Sequence, residues 1–165
     1  MSVRIRSARP GEGGVVLALV RELAAYERLA HEVVASEEEL ETGLFGAQPR
    51  VFCDIAERAG HDGSDPLGFA LWFYNFSTFR GRHGIYLEDL YVRPAARGQG
   101  IGQAFLAGLA RRCVEQGLPR LEWSVLDWNE PALRFYRGLG AEPMADWTVQ
   151  RVTGDALARL AERAR

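Results

Sequence analysis

Two stretches, Tyr86-Leu-Glu-Asp-Leu-Tyr-Val92 and Arg97-Gly-Gln-Gly-Ile-Gly102, constrain the architecture of this chain more than any others. The first belongs to a predicted strand that runs from Gly84 to Val92. Apolar side chains then recur every four residues between Gly100 and Gln116, which predicts an amphipathic helix. Another strand is predicted from Arg120 to Val125. Because a helix of about 17 residues suits a crossover between parallel strands, this region predicts a parallel β-α-β unit.

The rest of the chain predicts further strands and helices of one mixed α/β domain that covers residues 1–165. Ser36 and Glu39 form a capping box for a short helix that we expect to end near Gly43. Turn-forming residues fill the segments Arg58–Pro66 and Asn75–Gly84. The other predicted elements are strands at Val3–Ser7, Val51–Glu57, Leu67–Phe73 and Trp147–Val152, and helices at Gly14–Arg28, from Asn129 to Gly138 or Gly140, and from Asp155.

The composition is that of an ordinary globular protein: of 165 residues, 47% are hydrophobic and 25% charged, and the formal net charge is −2. Near-neutral charge gives no electrostatic case for nucleic acid as the main partner. We expect no secretory signal and no membrane segment, because runs such as Val15–Val20 fall far short of the roughly 18 residues of a span. Cys53 and Cys113 form no CxxC pair, so we expect no metal site and a cytoplasmic protein with reduced thiols. Cys113 falls on the apolar stripe of its helix, which predicts an inert, buried thiol.

The glycine-rich segment between the predicted strand and helix is a candidate anion site. Backbone N–H groups at the start of a helix have no helical partner, and glycines allow a ligand to approach them closely. The helix dipole adds a partial positive charge, which suits a pyrophosphate. The alternative is a tight turn that only links the two elements. Two other phosphate motifs fit poorly: Gly102 is followed by Gln103 rather than by the Lys-Ser/Thr of a Walker loop, and the third glycine of a dinucleotide fingerprint is replaced by Gln103.

Several motifs in order along the chain resemble the GNAT superfamily of N-acetyltransferases. The pattern Arg97-x-x-Gly100-x-Gly102 after a strand is similar to the acetyl-CoA motif of that family. Together with Tyr86–Val92, Trp128-Asn-Glu-Pro131, Phe135-Tyr136 and Glu22-Leu-Ala-Ala-Tyr-Glu27, it resembles the diamine (spermidine/spermine-type) and thialysine acetyltransferase branch. The resemblance implies a mostly antiparallel central sheet with a splayed pair of parallel strands and flanking helices. It also implies acetyl-CoA as the co-substrate and a small amine as the acceptor.

The resemblance assigns cofactor contacts to three parts of the chain. Backbone groups of Leu90, Tyr91 and Val92 would bond to the pantetheine amides. The far side of the cofactor would be lined by Asn129, Glu130, Pro131 and Ala132, although Asn129 also suits a helix N-cap. The pyrophosphate would be held by the turn consisting of Arg97, Gly98, Gln99, Gly100, Ile101, Gly102 and Gln103.

Tyr136 and Glu88 are the catalytic residues that the resemblance implies. A phenol of pKa ~10 can protonate the departing CoA thiolate, whose thiol has a pKa of ~8.5, which suits Tyr136 as the acid. An alkylamine of pKa ~10.4 must lose a proton before it attacks, and Glu88 would accept it through water. Tyr136 could instead pack beside Phe135. Glu88 and Asp89 should face opposite sides of the strand unless a bulge intervenes, and either could form a structural ion pair.

The acceptor pocket that the resemblance implies is rich in carboxylates and aromatic rings, which suits a cationic amine. Tyr26 could alternatively be a core residue and Glu27 a solvated charge. The loop Ser77–Arg80 lacks the Asp and Trp of polyamine enzymes, and the segment 142–147 is shorter, so a shorter or amino-acid-like amine is at least as plausible as spermidine. The residues concerned are Tyr26, Glu27, Glu88, Asp89, Glu122, Trp123 and Ser124.

The leading functional hypothesis is therefore acetyl transfer from acetyl-CoA to a small amine by direct attack in a ternary complex. The alternatives are a protein or peptide N-acetyltransferase on the same scaffold and a non-catalytic acyl-CoA-binding module. The family and the predicted C-terminal strand and helix favour a homodimer.

Overall fold

The computed structural model describes residues 3–60 and 65–164. The chain contains two compact units, Met1–Ser124 and Val125–Arg165. A single domain over residues 1–165 stays a prediction. The predicted turn at Arg58–Pro66 includes residues 61–64, which lie outside the described residues.

A five-stranded sheet, whose strands follow chain order from edge to edge, forms the centre of the first unit. Neighbouring strands are antiparallel except for the last pair, which is parallel. The predicted mixed sheet and the parallel β-α-β unit are therefore confirmed. The strands are β1 (Val3–Ser7), β2 (Phe52–Arg58), β3 (Pro66–Ser77), β4 (Arg82–Val92) and β5 (Leu121–Trp123).

Three helices accompany this sheet, and the predicted capping box is present. The Ser36 hydroxyl accepts a bond from the Glu39 N–H at 3.1 Å, and the Glu39 carboxylate accepts one from the Ser36 N–H at 2.8 Å. The helix that they open ends at Phe45 rather than near Gly43. The first unit holds α1 (Gly13–Tyr26), α2 (Glu37–Phe45), α3 (Ile101–Gln116) and short 3-10 turns at Ala30–Glu32 and Pro94–Ala96; the second unit holds α4 (Glu130–Gly138) and α5 (Gly154–Ala161).

The sheet buries apolar side chains on both faces. On one face, Val16, Leu19 and Leu23 of α1 pack against the side chains of Cys53, Ile55, Phe69, Leu71 and Tyr91. The other face meets α3, whose Phe105, Leu109 and Cys113 are buried. Both cysteines are free and buried, as the apolar stripe predicted for Cys113.

A buried ion-pair network that the sequence did not reveal ties the edge strand β1 to β2. Glu57 is completely buried and accepts bonds from Arg4 and, at 2.9 Å, from Arg6 Nε. Arg6 also binds Glu12 at 2.6 Å. Burial alone would raise the pKa of Glu57, but the two guanidinium groups lower it overall. The carboxylate is thus kept charged by partners on the neighbouring strand.

Two sequence-based expectations about strands are wrong. The segment Asn75–Gly84 is mostly paired strand rather than turn, since Asn75 pairs with Gly84 and Ser77 with Arg82. The polar residues there lie on a partly solvated hairpin, on which His83 packs edge-on against Phe76. The segment Trp147–Val152 is irregular rather than a strand. Alternating apolar residues make a strand only where another strand supplies backbone hydrogen bonds, and no described strand pairs with this segment.

Among the described residues, no helix combines the length and the apolar character that crossing a bilayer requires.

Two glycines of α3 should respond to alanine in opposite directions. Gly100 caps α3 with φ = 76°, a left-handed conformation that disfavours any Cβ, so Gly100→Ala should lower the free energy of unfolding by about 1 kcal/mol. A Cβ at Gly108, inside the same helix, would meet nothing within 4 Å. Gly108→Ala should therefore raise that free energy by about 0.5–1 kcal/mol. Urea unfolding measures the free energy of unfolding of both variants. Changes of the same sign would contradict the different conformations assigned to the two glycines.

Candidate active site

The turn between β4 and α3 has the geometry of an anion site. Gly98 and Gly100 both have φ = 76°, and the turn is exposed to solvent. The Ala104 N–H donates to the Gly100 carbonyl at 2.9 Å, so the N–H groups of Ile101, Gly102 and Gln103 precede this first helical bond. These N–H groups and the helix dipole together favour a phosphate or pyrophosphate.

A β-bulge interrupts β4 where the candidate base lies. Asp89 pairs with Leu71 and Leu87 pairs with Trp72, which leaves Glu88 as the extra residue. Leu71 and Trp72 are neighbours on β3 and point to opposite faces of the sheet. Leu87 and Asp89 therefore lie on opposite faces although they are two residues apart, and Glu88 is exposed between them.

The parallel ladder between β4 and β5 is shorter than β4 itself. It ends at the pair Leu87–Trp123, whereas β4 continues to Val92. Beyond the bulge, the edge of β4 turned away from β3 is thus outside the ladder with β5. The backbone of Leu90, Tyr91 and Val92 lies along this edge, where an extended ligand could bind as a strand does.

Three carboxylates interact near the bulge. Burial, together with the negative charges of Glu88 and Glu27, raises the pKa of Asp89 to about 6. Burial also raises the pKa of Glu27, which follows the last residue of α1. Like charges brought together in a partly buried place attract a cation that would relieve their repulsion. The structure thus brings Glu27, Glu88 and Asp89 near one another, and their role in an acceptor pocket stays a prediction.

Arg97 and Tyr26 contact each other, which the sequence did not indicate. The Arg97 guanidinium carbon lies 4.8 Å from the centre of the Tyr26 ring and 5.8 Å from that of Tyr91. Its Nε donates to the Val92 carbonyl at 2.9 Å. Tyr26 is about one-third exposed rather than a core residue.

The predicted acceptor residues of β5 have partners within the first unit. Glu122 accepts a bond from Asn75 Nδ2 at 2.8 Å and forms an ion pair with Arg120 at 2.9 Å. The Ser124 hydroxyl lies 2.7 Å from the Tyr86 hydroxyl. Trp123 is partly buried. The negative charge of Glu122 is therefore already balanced by Arg120, in contrast to the charges of the carboxylates near the bulge.

The second unit carries the remaining predicted residues. Asn129 caps α4, because its side chain accepts a bond from the Ala132 N–H at 3.4 Å, and Pro131 lies in the first turn. Glu130 and Pro131 are exposed. Tyr136 is partly buried and its ring lies 5.3 Å from that of Phe135. The capping prediction for Asn129 is confirmed; its cofactor contact stays a prediction.

A cavity of about 370 Å³ opens elsewhere in the first unit, between β1 and α3. Ser7, Asp54, Phe105 and Gly108 are among its lining residues, and none of the predicted site residues lines it. This cavity is therefore separate from the place where the predicted site residues gather.

Besides the contact between Arg97 and Tyr26, two features of the site were not predicted outright from the sequence. The bulge was only a conditional expectation, because nothing in the run Tyr86–Val92 other than its adjacent carboxylates signals an extra residue. The ion pair between Arg93 and Glu22, at 2.7 Å, was not foreseen, since it joins residues far apart in the chain.

Comparisons with known proteins identify the family. Residues 17–141 match the acetyltransferase (GNAT) family. The chain is 40% identical over 166 residues to thialysine N-epsilon-acetyltransferase of Bos taurus, covering 96% of this chain and 97% of that protein. It is 32% identical to L-ornithine N5-acetyltransferase of Arabidopsis thaliana, covering 95% of this chain and 87% of that protein.

Solved structures give the same result for the fold. An integron cassette protein from the mobile metagenome of V. cholerae superposes with a TM-score of 0.80 at 28% identity, covering 98% of this chain and 99% of that one. Ribosomal-protein-alanine N-acetyltransferase from Brucella melitensis has a TM-score of 0.69 at 19% identity, covers 93% of this chain and 100% of that one, and shows the fold alone. With a family match over most of its length and full-length relatives at 40% identity, the chain belongs to the GNAT family and is an N-acetyltransferase.

Proposed function

We propose that the protein transfers the acetyl group of acetyl-CoA to a primary amine of a small cationic molecule. The observation that carries this proposal is the group of three carboxylates near the bulge: Glu88 and Asp89 on the strand that leads into the anion-binding turn, and Glu27 at the end of α1. Thialysine and L-ornithine, which name two relatives, are amino acids with a side-chain amine. A lysine-like or diamine acceptor is the class that this combination favours.

Acetyl-CoA would lie along β4 and the turn that follows. The open edge at Leu90, Tyr91 and Val92 suits the pantetheine amides, and the N–H groups of residues 98–103 suit the pyrophosphate. Glycines at 98 and 100 leave this approach free of Cβ atoms. Asn129, Glu130, Pro131 and Ala132 would line the other side of the cofactor.

In the reaction we propose, the acceptor reaches the thioester as a neutral amine. Glu88, which is exposed, accepts a proton from the ammonium group through water. The amine nitrogen then forms a bond to the carbonyl carbon, and the carbon–sulfur bond breaks. Tyr136 gives its proton to the departing thiolate, the nitrogen loses its second proton as the amide forms, and Tyr136 regains a proton through water. Tyr26, Glu27 and Asp89 bind the cationic acceptor, with Glu122, Trp123 and Ser124 on the neighbouring strand.

We also propose a homodimer. Several large apolar side chains of the second unit are exposed, and α5 buries none of its residues. A second copy would cover them. The exposed side chains are Met144, Trp147, Val149, Leu157 and Leu160. The free thiols of Cys53 and Cys113 suit the cytoplasm as the location.

An acceptor panel tests the proposal. Purified protein with acetyl-CoA should release free thiol with diamines, ornithine, lysine or thialysine, and faster than with peptides, because the carboxylates attract compact cations. Acetylation of peptides alone would favour the protein N-acetyltransferase alternative. If the protein binds acetyl-CoA but transfers the acetyl group to none of these acceptors, the non-catalytic acyl-CoA-binding module is the remaining hypothesis.

Tyr136→Phe should lower kcat about 100-fold or more and leave the Kd of acetyl-CoA within about twofold, because the ring stays and only the proton donor is lost. Tyr74→Phe is the matched control, since the Tyr74 hydroxyl bonds to Gln116 at 3.0 Å and has no proposed role in transfer. Equal turnover of Tyr136→Phe and wild type would remove Tyr136 from the mechanism.

Asp89 should give the protein a characteristic pH dependence. Its folded-state pKa of about 6 exceeds its ordinary value of 3.8, so the folded state binds more protons between these values and stability falls as pH rises through this window. Asp89→Asn removes this penalty. Relative to wild type, the free energy of unfolding of the variant should therefore rise by at most about 3 kcal/mol between pH 4 and pH 7. Urea unfolding across this range measures the difference. Parallel curves of unfolding free energy against pH for the variant and wild type would contradict the raised pKa of Asp89.

A further inference from the structure

Two arginines at the start of the cofactor turn and just before it contact the C-terminal part of α1. Arg93 and Arg97 flank the 3-10 turn Pro94–Ala96, four residues apart. Arg93 pairs with Glu22, and Arg97 packs on Tyr26. These four residues, together with Tyr91, are called the arginine clamp below.

The contact between Arg93 and Glu22 is specific in geometry. Arg93 Nη2 donates to Glu22 Oε1 at 2.7 Å, and Arg93 Nε lies 3.1 Å from Oε2. The third side of the guanidinium donates through Nη1 to the Pro66 carbonyl at 2.7 Å. The pairing with Glu22 raises the pKa of Arg93. The planar guanidinium group donates hydrogen bonds on three sides and thereby fixes the Glu22 carboxylate relative to the C-terminal end of β4.

Arg97 makes the second half of the clamp. Its guanidinium lies against Tyr26 on α1 and Tyr91 on β4, while its Nε holds the Val92 carbonyl. Burial, followed by the nearby charge of Glu22, raises the pKa of Tyr91. The two arginines therefore act on one connected set of side chains.

The part of α1 that the clamp holds is its end. The Glu27 N–H bonds to the Leu23 carbonyl at 2.9 Å, and at Arg28 the chain leaves the helix with φ = 64°, a conformation disfavoured for a residue with a Cβ. Helix ends fray unless outside groups hold them. Tyr26 and Glu27, two proposed acceptor-binding residues, are on this last turn, so their positions depend on contacts from the cofactor side of the site.

We propose that Arg93 and Glu22 are positioning residues for the amine acceptor, acting through Tyr26 and Glu27, and that Arg97 couples acceptor binding to occupation of the cofactor turn. This inference rests on the proposed function. Because Arg97 belongs to both the turn and the clamp, a ligand that orders the turn also orders the end of α1. Binding of CoA and binding of the amine then strengthen each other by the same factor.

Kinetics of Arg93→Lys and Glu22→Gln separate positioning from simple stabilisation. Lysine keeps the charge but cannot form the three-sided set of bonds, and glutamine keeps the shape but loses the charge. Each variant should raise the KM of the amine about five- to tenfold, which corresponds to about 1 kcal/mol. The Kd of acetyl-CoA should stay within about twofold, since neither side chain belongs to the anion site.

Arg111→Ala is the matched control, because it removes an arginine that pairs with Glu115 at 4.0 Å on α3, away from α1. It should leave both constants unchanged. An unchanged amine KM in folded Arg93→Lys and Glu22→Gln would overturn the proposal. So would an equal rise in the amine KM and the acetyl-CoA Kd, or a similar effect of Arg111→Ala.

A readout without turnover distinguishes failure of the clamp from failure of the proposed function. If the wild-type protein transfers acetyl groups to no amine, the proposed function has failed. Hydrogen exchange then still tests the arginine clamp. The amides of residues 27–29 should exchange several-fold faster in Arg93→Lys and Glu22→Gln than in wild type or Arg111→Ala. Equal exchange rates would reject the clamp whether or not the enzyme is active.

Discussion

The extra residue at Glu88 changes which face of the sheet each later side chain of β4 occupies. Without it, residue 89 would follow residue 87 onto the α3 face. With it, Asp89 joins Leu71 and Tyr91 on the α1 face, Glu88 is exposed between the two faces, and the β4–β5 ladder stops at Leu87. One inserted residue thus gives the site both an open strand edge and its carboxylates.

Two carboxylates of this chain, the fully buried Glu57 and the partly buried Asp89, lie in opposite electrostatic surroundings. Glu57 is surrounded by arginines, which lower its pKa, and it joins β1 to β2. Asp89 feels the charges of Glu88 and Glu27, which act together with burial to raise its pKa. The first arrangement is complete within the protein. The second would be relieved by a cation from outside, such as the proposed amine acceptor, and perturbed acids near an open strand edge are typical of a binding site.

Local chemistry predicted much of this molecule. The capping box at Ser36, the amphipathic α3 and the parallel crossover follow from spacing over a few residues, and the structure contains them. The Trp147–Val152 strand failed because a strand needs a partner, and alternation does not supply one. The clamp and the Glu57 network join residues distant in sequence, so no local pattern encodes them.

The two buried cysteines also matter for an enzyme that handles a reactive thioester. Burial raises the pKa of both thiols, so neither Cys53 nor Cys113 presents the thiolate that attacks an acyl group. Each turnover also liberates a free CoA thiol, which could form a mixed disulfide with an accessible sulfur under oxidising conditions. By keeping both cysteine thiols in the core, the protein avoids both self-acylation and capture of its product.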